Sequence, residues 1–535
     1  MMDSLYIAQS GLKTSRYAID VTSNNLANEN TEGYKKRIVQ TSEVASIHHN
    51  IGNGVSFDGV NRTTSPYLYT QILSQNSYSN YYTQQNSTLS SAEQIFQETD
   101  KSGFSITLTD FFTAAETLRG DPTSSTYKAE LNSQSTMLVN SIKGVYSDLE
   151  ELQDDNLSLL KDQAEEVNSI LAKISHINEK IINSGETNEL LDKRDQYEKQ
   201  LSGYGNIEVS TEHDNYVLKM GGQNVIFNTT SFHELSVKEE YISQKDIYTT
   251  TDLNDTNFSD GDVVTLTLNN DVSIDIVASV SGGTNFDLKQ QIVDRINNNS
   301  EFGKLQARLD TANNLIIESI EGGEDNIFDL KIDVAGSVVG KDTNVSVDAA
   351  DHVSVAVYNN ELELSGGTLK SLSENLTSET SELLSYKRAL NDFTKALVEA
   401  YAQNSDTTMF KGASVNTFEY VKDSAFFLSG TDLEGIAQLQ WAEDINIDSR
   451  SSEVTSFKEF YKNLLENVSI DTEDNASLME SQDAVLNSMT VTYENLTKVD
   501  PDEEMINLMQ YQAAYEANAK IITAVDEMLQ TILNM

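Results

Sequence analysis

Residues 5–34 read LYIAQSGLKTSRYAIDVTSNNLANENTEGY, and residues 508–532, near the other end of the chain, read LMQYQAAYEANAKIITAVDEMLQTI. In both stretches apolar or small residues recur at intervals of three and four, which places them on one seam of an α-helix. We expect these two helices to pack on each other or on copies of themselves in other subunits. The first seam runs Leu5, Ala8, Leu12, Ser15, Ile19, Thr22, Leu26, and the second runs Leu508, Tyr511, Tyr515, Asn518, Ile522, Val525, Leu529, Ile532.

A short polar stretch overlaps the end of the first seam and carries four asparagines, Asn24, Asn25, Asn28 and Asn30. Amides at an interface cost stability unless they are hydrogen-bonded, and such positions can fix the register between helices. Gly33 is expected to supply a left-handed turn where the chain leaves the first helix. With Tyr34, these residues complete the predicted assembly surface.

The composition excludes several classes of protein. The 535 residues contain no cysteine, which rules out disulfides and thiolate chemistry, and 38% are apolar, enough for folded cores. The net charge of −48 argues against a nucleic-acid partner. No basic and apolar leader begins the chain, so we expect no cleaved signal peptide. Between residues 251 and 365 there are 21 acidic and 6 basic residues, typical of a solvated outer region.

Changes in hydrophobic period divide the chain into nested parts. Helical spacing fills residues 66–201 and 369–496, including one seam from Leu369 to Ala400 with Glu379 as its single charged member. Between these blocks the period shortens to two, and Gly-Gly pairs separate the strands. Pro66, Pro122 and Pro501 each follow a serine or aspartate and are predicted to open helices. We therefore predict an α+β multidomain chain.

The predicted domains follow from these patterns. Residues 1–45 with 498–535 form terminal coiled-coil helices, residues 46–205 with 366–497 form a bundle of long helices, and residues 206–365 form an inserted, acidic, β-rich outer region of one or two subdomains.

Several sequence motifs are shared with a known family. Ser10-Gly11-Leu12, residues 21–34 and residues 502–529 resemble the paired terminal signatures of the bacterial flagellar axial proteins, which comprise rod, hook and hook-associated proteins. Residues 51–55, 59–62 and 190–196 (LLDKRDQ) are similar to stretches of the hook-associated members that join hook and filament. The resemblance covers roughly the first 240 and the last 170 residues.

The resemblance implies a structural, extracellular protein of the flagellum, exported unfolded by the flagellar type III apparatus and assembled as a ring that joins hook to filament. The implied partners are the hook protein, a second junction protein, copies of the chain, and an export chaperone that holds Tyr511, Tyr515, Ile522 and Leu529. It implies no enzyme activity, no membrane insertion and no cofactor.

Three alternatives remain at this point. A hook or rod subunit shares the terminal signatures, but the two long helical blocks argue against it. A flagellum-borne enzyme would need a site in the middle region, and a pore-forming translocator would need apolar spans. The chain has no HExxH, P-loop or GxSxG motif. His48-His49 and the oxygen-rich cluster from Asp252 to Asp262 are better explained as exposed loops, because neither has the spacing of a metal site.

Overall fold

The computed structural model describes residues 2–45, 52–98, 103–212, 215–241, 247–250, 263–268, 272–277, 285–299, 302–309, 314–319, 328, 330–334, 337–341, 351–377, 381–448 and 454–533. Three assemblies of secondary structure are present in this part of the chain: a terminal unit, a helical body and a satellite.

The terminal unit joins the two ends of the chain. Helix α1 (Met2–Ala27) packs lengthwise against α11 (Pro501–Leu533), and an antiparallel hairpin of β1 (Arg37–Glu43) and β2 (Val55–Arg62) packs beside α1. The register of the hairpin shifts between Gln40 and Thr41, which is a β-bulge. The rings of Tyr17 and Phe57, 4.3 Å apart, pack α1 on the hairpin.

The helical body consists of α2 (Pro66–Ile95), α3 (Phe104–Gly120), α4 (Ser125–Ser184), α5 (Asn188–Tyr204), α7 (Thr368–Thr377), α8 (Glu382–Asn404), α9 (Gly430–Leu439) and α10 (Phe457–Thr497). One core of the helical body is rich in aromatic side chains. Phe104, Phe393, Phe410 and Tyr461 are almost fully buried there, where α3, α8, α10 and a small hairpin meet. That hairpin pairs β17 (Phe410–Lys411) with β18 (Glu419–Tyr420).

A second core joins helices to sheet. The C-terminal half of α4 presents Val167, Ile170 and Ile174 to α2, α5 and α7. The same core includes a four-stranded sheet of β3 (Ile207–Glu212), β4 (Asn215–Met220), β5 (Gln223–Phe227) and β6 (Ser231–Phe232). It also includes β7 (Leu235–Tyr241), which pairs with β15 (Asp351–Val357), the neighbour of β16 (Asn360–Glu361).

The satellite is inserted between β7 and β15 and has its own core. Helix α6 (Asn285–Asn297) buries Leu288, Ile292 and Ile296 against its sheets. One sheet has the order β10 (Val272–Val277), β9 (Val263–Leu268), β13 (Leu330–Val334), β14 (Ser337–Lys341), and the other has β11 (Leu305–Leu309), β12 (Leu315–Ser319), β8 (Ile247–Thr250).

The α+β class is confirmed, with long helices and separate small sheets. The domain boundaries at 45/46 and 205/206 remain a prediction about independent folding. In the structure β2 pairs with β1 of the terminal unit, and β3–β5, β7 and β15 share a core with the helices. The satellite therefore has a core of its own, whereas the first strands of the middle region do not.

Three local predictions are settled by the helix boundaries. Pro66 and Pro501 open α2 and α11, as predicted. The prediction for Pro122 is wrong, because α4 begins three residues later at Ser125, where the Ser124 side chain caps it. The single helix predicted from Leu369 to Ala400 is two helices, since Ser381 caps a new start at Glu382. Glu379 lies outside the described residues. The helical pattern predicted through 405–456 is interrupted by the β17–β18 hairpin and irregular chain.

Candidate assembly interface

The predicted seams meet each other within one chain. On α1, Ala8, Ser15 and Thr22 are buried against α11, while the larger predicted residues Leu5, Leu12, Ile19 and Leu26 are half-buried. Gly11 lies so close to α11 that a Cβ there would sit 2.9 Å from the Asn518 side chain. Small residues at this seam therefore allow the two helix backbones to approach closely.

The seam of α11 is covered unevenly. Val525 is 4% exposed, and Leu508, Tyr511, Ile522 and Leu529 are half-buried. Tyr515 is 37% exposed and Ile532 is 54% exposed. Helix α1 therefore covers the seam incompletely at Tyr515 and no longer covers it at Ile532. The intrachain partner α1 thus accounts for most of the residues that the heptad spacing selected.

Asn25 connects three segments of the terminal unit. Its side chain is buried, and its Nδ2 donates to the Arg37 carbonyl oxygen and to Glu504 Oε2, both at 2.9 Å. Its Oδ1 accepts from the Arg37 amide at 3.0 Å and from the Tyr34 hydroxyl at 2.9 Å. Every strong hydrogen-bonding direction of the amide group is used. Asn25 therefore fixes the position of β1 and α11 relative to the end of α1.

The neighbouring predicted residues are more exposed. Asn24 accepts from the Tyr34 hydroxyl at 3.0 Å, and Asn28 donates back to the Asn24 carbonyl at 2.9 Å, which closes the end of α1. Gly33 adopts φ +75°, the left-handed conformation that was predicted. A Cβ at Gly33 would collide with Gln196, whose Nε2 donates to the Glu32 carbonyl at 2.7 Å. Gly33 thus lets the chain pass close to α5.

A charged cluster, which the sequence did not reveal as a site, lies immediately after this turn. Lys35 forms an ion pair with Asp195, and Arg62 reaches Asp195 through both terminal nitrogens, at 2.6 and 3.2 Å. Arg62 also donates to Asp192 at 3.1 Å, and Arg37 lies 3.8 Å from the other Asp192 oxygen. The resemblance motifs contained Arg62, Asp192 and Asp195, but only the fold brings them within contact.

The electrostatics of the cluster reflect its burial. Burial, assisted by the Arg62 charge, lowers the pKa of Lys35 to about 8. Burial also raises the pKa of Asp192 and that of Glu198, against the opposing effect of nearby cations. Burial works against the charge of Lys36 as well, but its contacts with Glu503 at 2.8 Å and Glu504 at 3.3 Å prevail and raise the pKa of Lys36.

The opposite face of α11 carries a second apolar row that α1 does not cover. We call this row the free stripe of α11: Ile506, Met509, Ala513, Ala517, Ile521, Ala524 and Met528. Its spacing of three and four is that of another helix-packing seam. Ile506, Met509 and Ile521 are 51%, 57% and 46% exposed, and Met528 is 49% exposed. The sequence contained this signal, since α11 has two overlapping apolar rows, but only packing shows which row is uncovered.

No group of three or more metal-ligating side chains occurs among the described residues. His48, His49 and the 252–262 cluster lie outside the described part. No described helix is long and apolar enough to cross a membrane.

Comparison with known proteins gives matches at both ends and in the body. Residues 5–35 match the family described as flagella basal body rod protein, and residues 493–535 match the C-terminal family of flagellar basal body rod FlgEFG proteins. Residues 89–284 match the flagellar hook-associated protein FlgK helical domain.

Individual relatives extend these matches, one of them over almost its full length. Flagellar hook-associated protein 1 of Bacillus subtilis is 22% identical over 99% of this chain and 97% of its own length. The proteins of the same name from Escherichia coli and Salmonella typhimurium are each 26% identical over 38% of this chain, and cover 39% and 38% of their own lengths. The solved structure of the flagellar hook junction protein FlgK from Burkholderia pseudomallei aligns with 64% of this chain and 46% of that chain, at 15% identity and a TM-score of 0.38, too low for an argument about the fold.

The paired terminal helices and the two terminal family matches define an axial protein of the bacterial flagellum. The helical-domain match and the full-length relative make the class specific. The chain is similar over almost its whole length to flagellar hook-associated protein 1 of Bacillus subtilis, and its role in the flagellum is structural.

Proposed function

We propose that this chain joins hook to filament as a ring of subunits, and that neighbouring subunits meet through the free stripe of α11. The observation that carries the proposal is the stripe itself. It is an apolar row at helix-packing spacing, and α1 lies on the other side of the helix. Exposed apolar rows of this length mark interaction sites in soluble proteins.

The charges of the terminal helices fit a head-to-tail contact between copies. Helix α11 carries six acidic residues and one basic residue, whereas the outward face of α1 presents Lys13 and Arg16 beside one acidic residue, Asp20. Contact between different faces of successive copies generates a ring or a helical tube rather than a closed pair. The hook protein and a second junction protein would meet the two ends of such a ring.

Export and chaperone binding belong to the same proposal. The chain would travel unfolded through the type III apparatus to the cell exterior. Of the four predicted chaperone contacts, Tyr511, Ile522 and Leu529 are half-buried by α1 once the chain has folded, and Tyr515 is 37% exposed. A chaperone that holds this row would therefore bind α11 before α1 pairs with it. We assign the chain no catalytic activity and no cofactor.

The stripe can be tested by placing charge on it. In the Ile521→Glu/Met528→Glu variant, both side chains are about half exposed in the monomer, so the melting temperature of the monomer should stay within a few degrees of the parent. Burying two carboxylates between subunits costs several kcal/mol. Added to purified hooks that lack their own copy of the protein, the variant should fail to bind and to restore filament growth.

The matched control is Gln512→Glu/Thr523→Glu, which adds the same charge to exposed positions of α11 outside the stripe. The control should restore growth as the parent does. External addition bypasses export, so a loss of chaperone binding cannot produce the same result. Equal activity of the stripe variant and the control would show that the stripe is not an assembly surface.

A further inference from the structure

The connection between the terminal unit and the helical body is polar rather than apolar. None of the three apolar core clusters in the described part of the chain contains a residue of α1, α11, β1 or β2. One cavity of ≈390 Å³ lies between residues 29–35 and helices α2, α5 and α10. A second cavity of the same volume lies between α1, the hairpin and the start of α5. Close apolar packing therefore does not determine the angle between the two parts.

Directional polar contacts span the same boundary. Of the three consecutive residues after Tyr34, Lys35 and Arg37 reach α5 of the helical body, while Lys36 holds α11 within the terminal unit. Arg62, at the end of β2, donates to both carboxylate oxygens of Asp195 through its two terminal nitrogens, a bidentate geometry that restricts rotation as well as distance. The Asn188 side chain donates to the Val60 carbonyl at 2.9 Å, and the Lys36 amide donates to the Thr497 carbonyl at 2.7 Å.

The surroundings of Lys35 hold it in one place. Asp195 pairs with it from α5, and Arg62 lies beside it on β2, while Asp192 and Glu198 act on it from the same face of α5. The aromatic rings of Tyr69 on α2 and Tyr493 on α10 lie 5.2 and 5.7 Å from its ammonium group. Because the lysine contacts three helices and a strand, it restrains the positions of these elements relative to one another.

We propose that this ionic joint, defined as Lys35, Arg37, Arg62, Asp192 and Asp195, sets the orientation of the terminal unit relative to the helical body. Buried ion pairs add little net stability compared with apolar side chains of similar size, yet they impose a specific geometry. The geometry matters because α11 has 33 residues and spans roughly 50 Å, so a rotation of about 10° at the joint displaces its far end by roughly 9 Å. Asp192 and Asp195 are the positioning residues.

The proposal concerns a monomer property and is independent of the partners proposed above. Because the chain has no cysteine, two introduced cysteines provide a unique pair of spin labels. Ser169→Cys on α4 and Gln512→Cys on α11 are both exposed and report the distance across the joint. Ser169→Cys with Ser488→Cys on α10 reports a distance within the body.

The test variant is Lys35→Met/Asp195→Asn, which removes one cation and one anion together. Pulsed electron paramagnetic resonance should show the distance distribution across the joint at least twice as wide as in the parent, with the distance within the body unchanged. Arg119→Met is the matched control, since it removes exposed ion pairs to Glu116 and Glu434 far from the joint, and it should leave both distributions unchanged.

The proposal would be overturned if the width of the distance distribution across the joint differed from the parental width by less than one fifth. If the distance within the body also widens, the double substitution has disturbed the fold, and Arg62→Lys decides the question by the same criterion. That variant keeps every charge but loses the two-pronged contact with Asp195. An unchanged width in Arg62→Lys would then count against the joint.

Discussion

Replacing Asn25 by alanine should loosen the terminal unit without unfolding the helical body. The side chain is 1% exposed and makes four hydrogen bonds, two of them to the backbone of Arg37. The others join the Tyr34 hydroxyl and the carboxylate of Glu504, which is itself 2% exposed. Alanine removes all four contacts and leaves a small gap where α1, β1 and α11 meet.

The expected cost follows from what each partner retains. Glu504 keeps its contact with Lys36, and the Tyr34 hydroxyl keeps Asn24, so neither group is left alone. The bond to a charged carboxylate contributes roughly 1.5–3 kcal/mol, and the buried backbone groups of Arg37 lose partners worth about 1 kcal/mol each. The sum is roughly 3.5–5 kcal/mol, a factor of roughly 400 to 5,000 in the opening equilibrium of the terminal unit.

Hydrogen–deuterium exchange measures this opening directly, because amides at the end of α1 and the start of α11 exchange when the unit opens. Their exchange should accelerate by at least roughly 400-fold in Asn25→Ala, while amides of α4 and α8 keep the parental rates. Asn24→Ala is the matched control, since Asn24 is exposed and its loss should change the rates less than about threefold. Rates for Asn25→Ala within threefold of the parent would refute the role assigned to its hydrogen bonds.

Two further predictions concern the charged cluster and the satellite. Burial lowers the pKa of Lys35 from its ordinary 10.5 to about 8, so between these values the unfolded chain binds more protons than the folded one, and the stability of the parent rises with pH. Between pH 7 and 9.5 the free energy of local opening should rise by about 1–2 kcal/mol more in the parent than in Lys35→Met. Hydrogen exchange, corrected for intrinsic rates, measures this free energy. Equal dependence on pH in the two proteins would contradict the prediction. Replacing residues 242–350 by a short Gly/Ser turn joins Tyr241 to Asp351, which are already paired across β7 and β15. The melting temperature of the helices in the remaining chain should therefore stay within a few degrees of the parent. Loss of cooperative melting would show that the satellite supports the helices.

Much of the helical architecture could be read from the sequence. The three-and-four spacing identified α1 and α11, and proline after a capping residue placed the starts of α2 and α11 correctly. These features are local, because a helix seam and a cap depend on residues within a few turns of one another. The family motifs at the two ends were sufficient for the flagellar class, which the comparisons confirmed.

Local pattern misled where two local signals competed. The seam from Leu369 to Ala400 satisfies helical spacing throughout, yet Ser381 starts a new helix within it. Pro122 follows an aspartate, as a helix-opening proline should, but the cap of α4 is Ser124. In both cases the spacing allows more than one start, and the serine cap marks the one that is used.

The sequence by itself determined that both ends are helices built to pack along a seam, that Gly33 turns the chain after the first of them, and that the charge makes a nucleic-acid partner unfavourable. Only the tertiary structure decided that α1 covers one row of α11 and leaves the free stripe open, because the two rows have the same spacing and differ only in what lies against them. It also decided that Lys35, Arg62 and Asp195 form one cluster. These residues are 27 to 160 positions apart in the chain, and no periodic pattern relates charges that meet only when the hairpin folds onto α5.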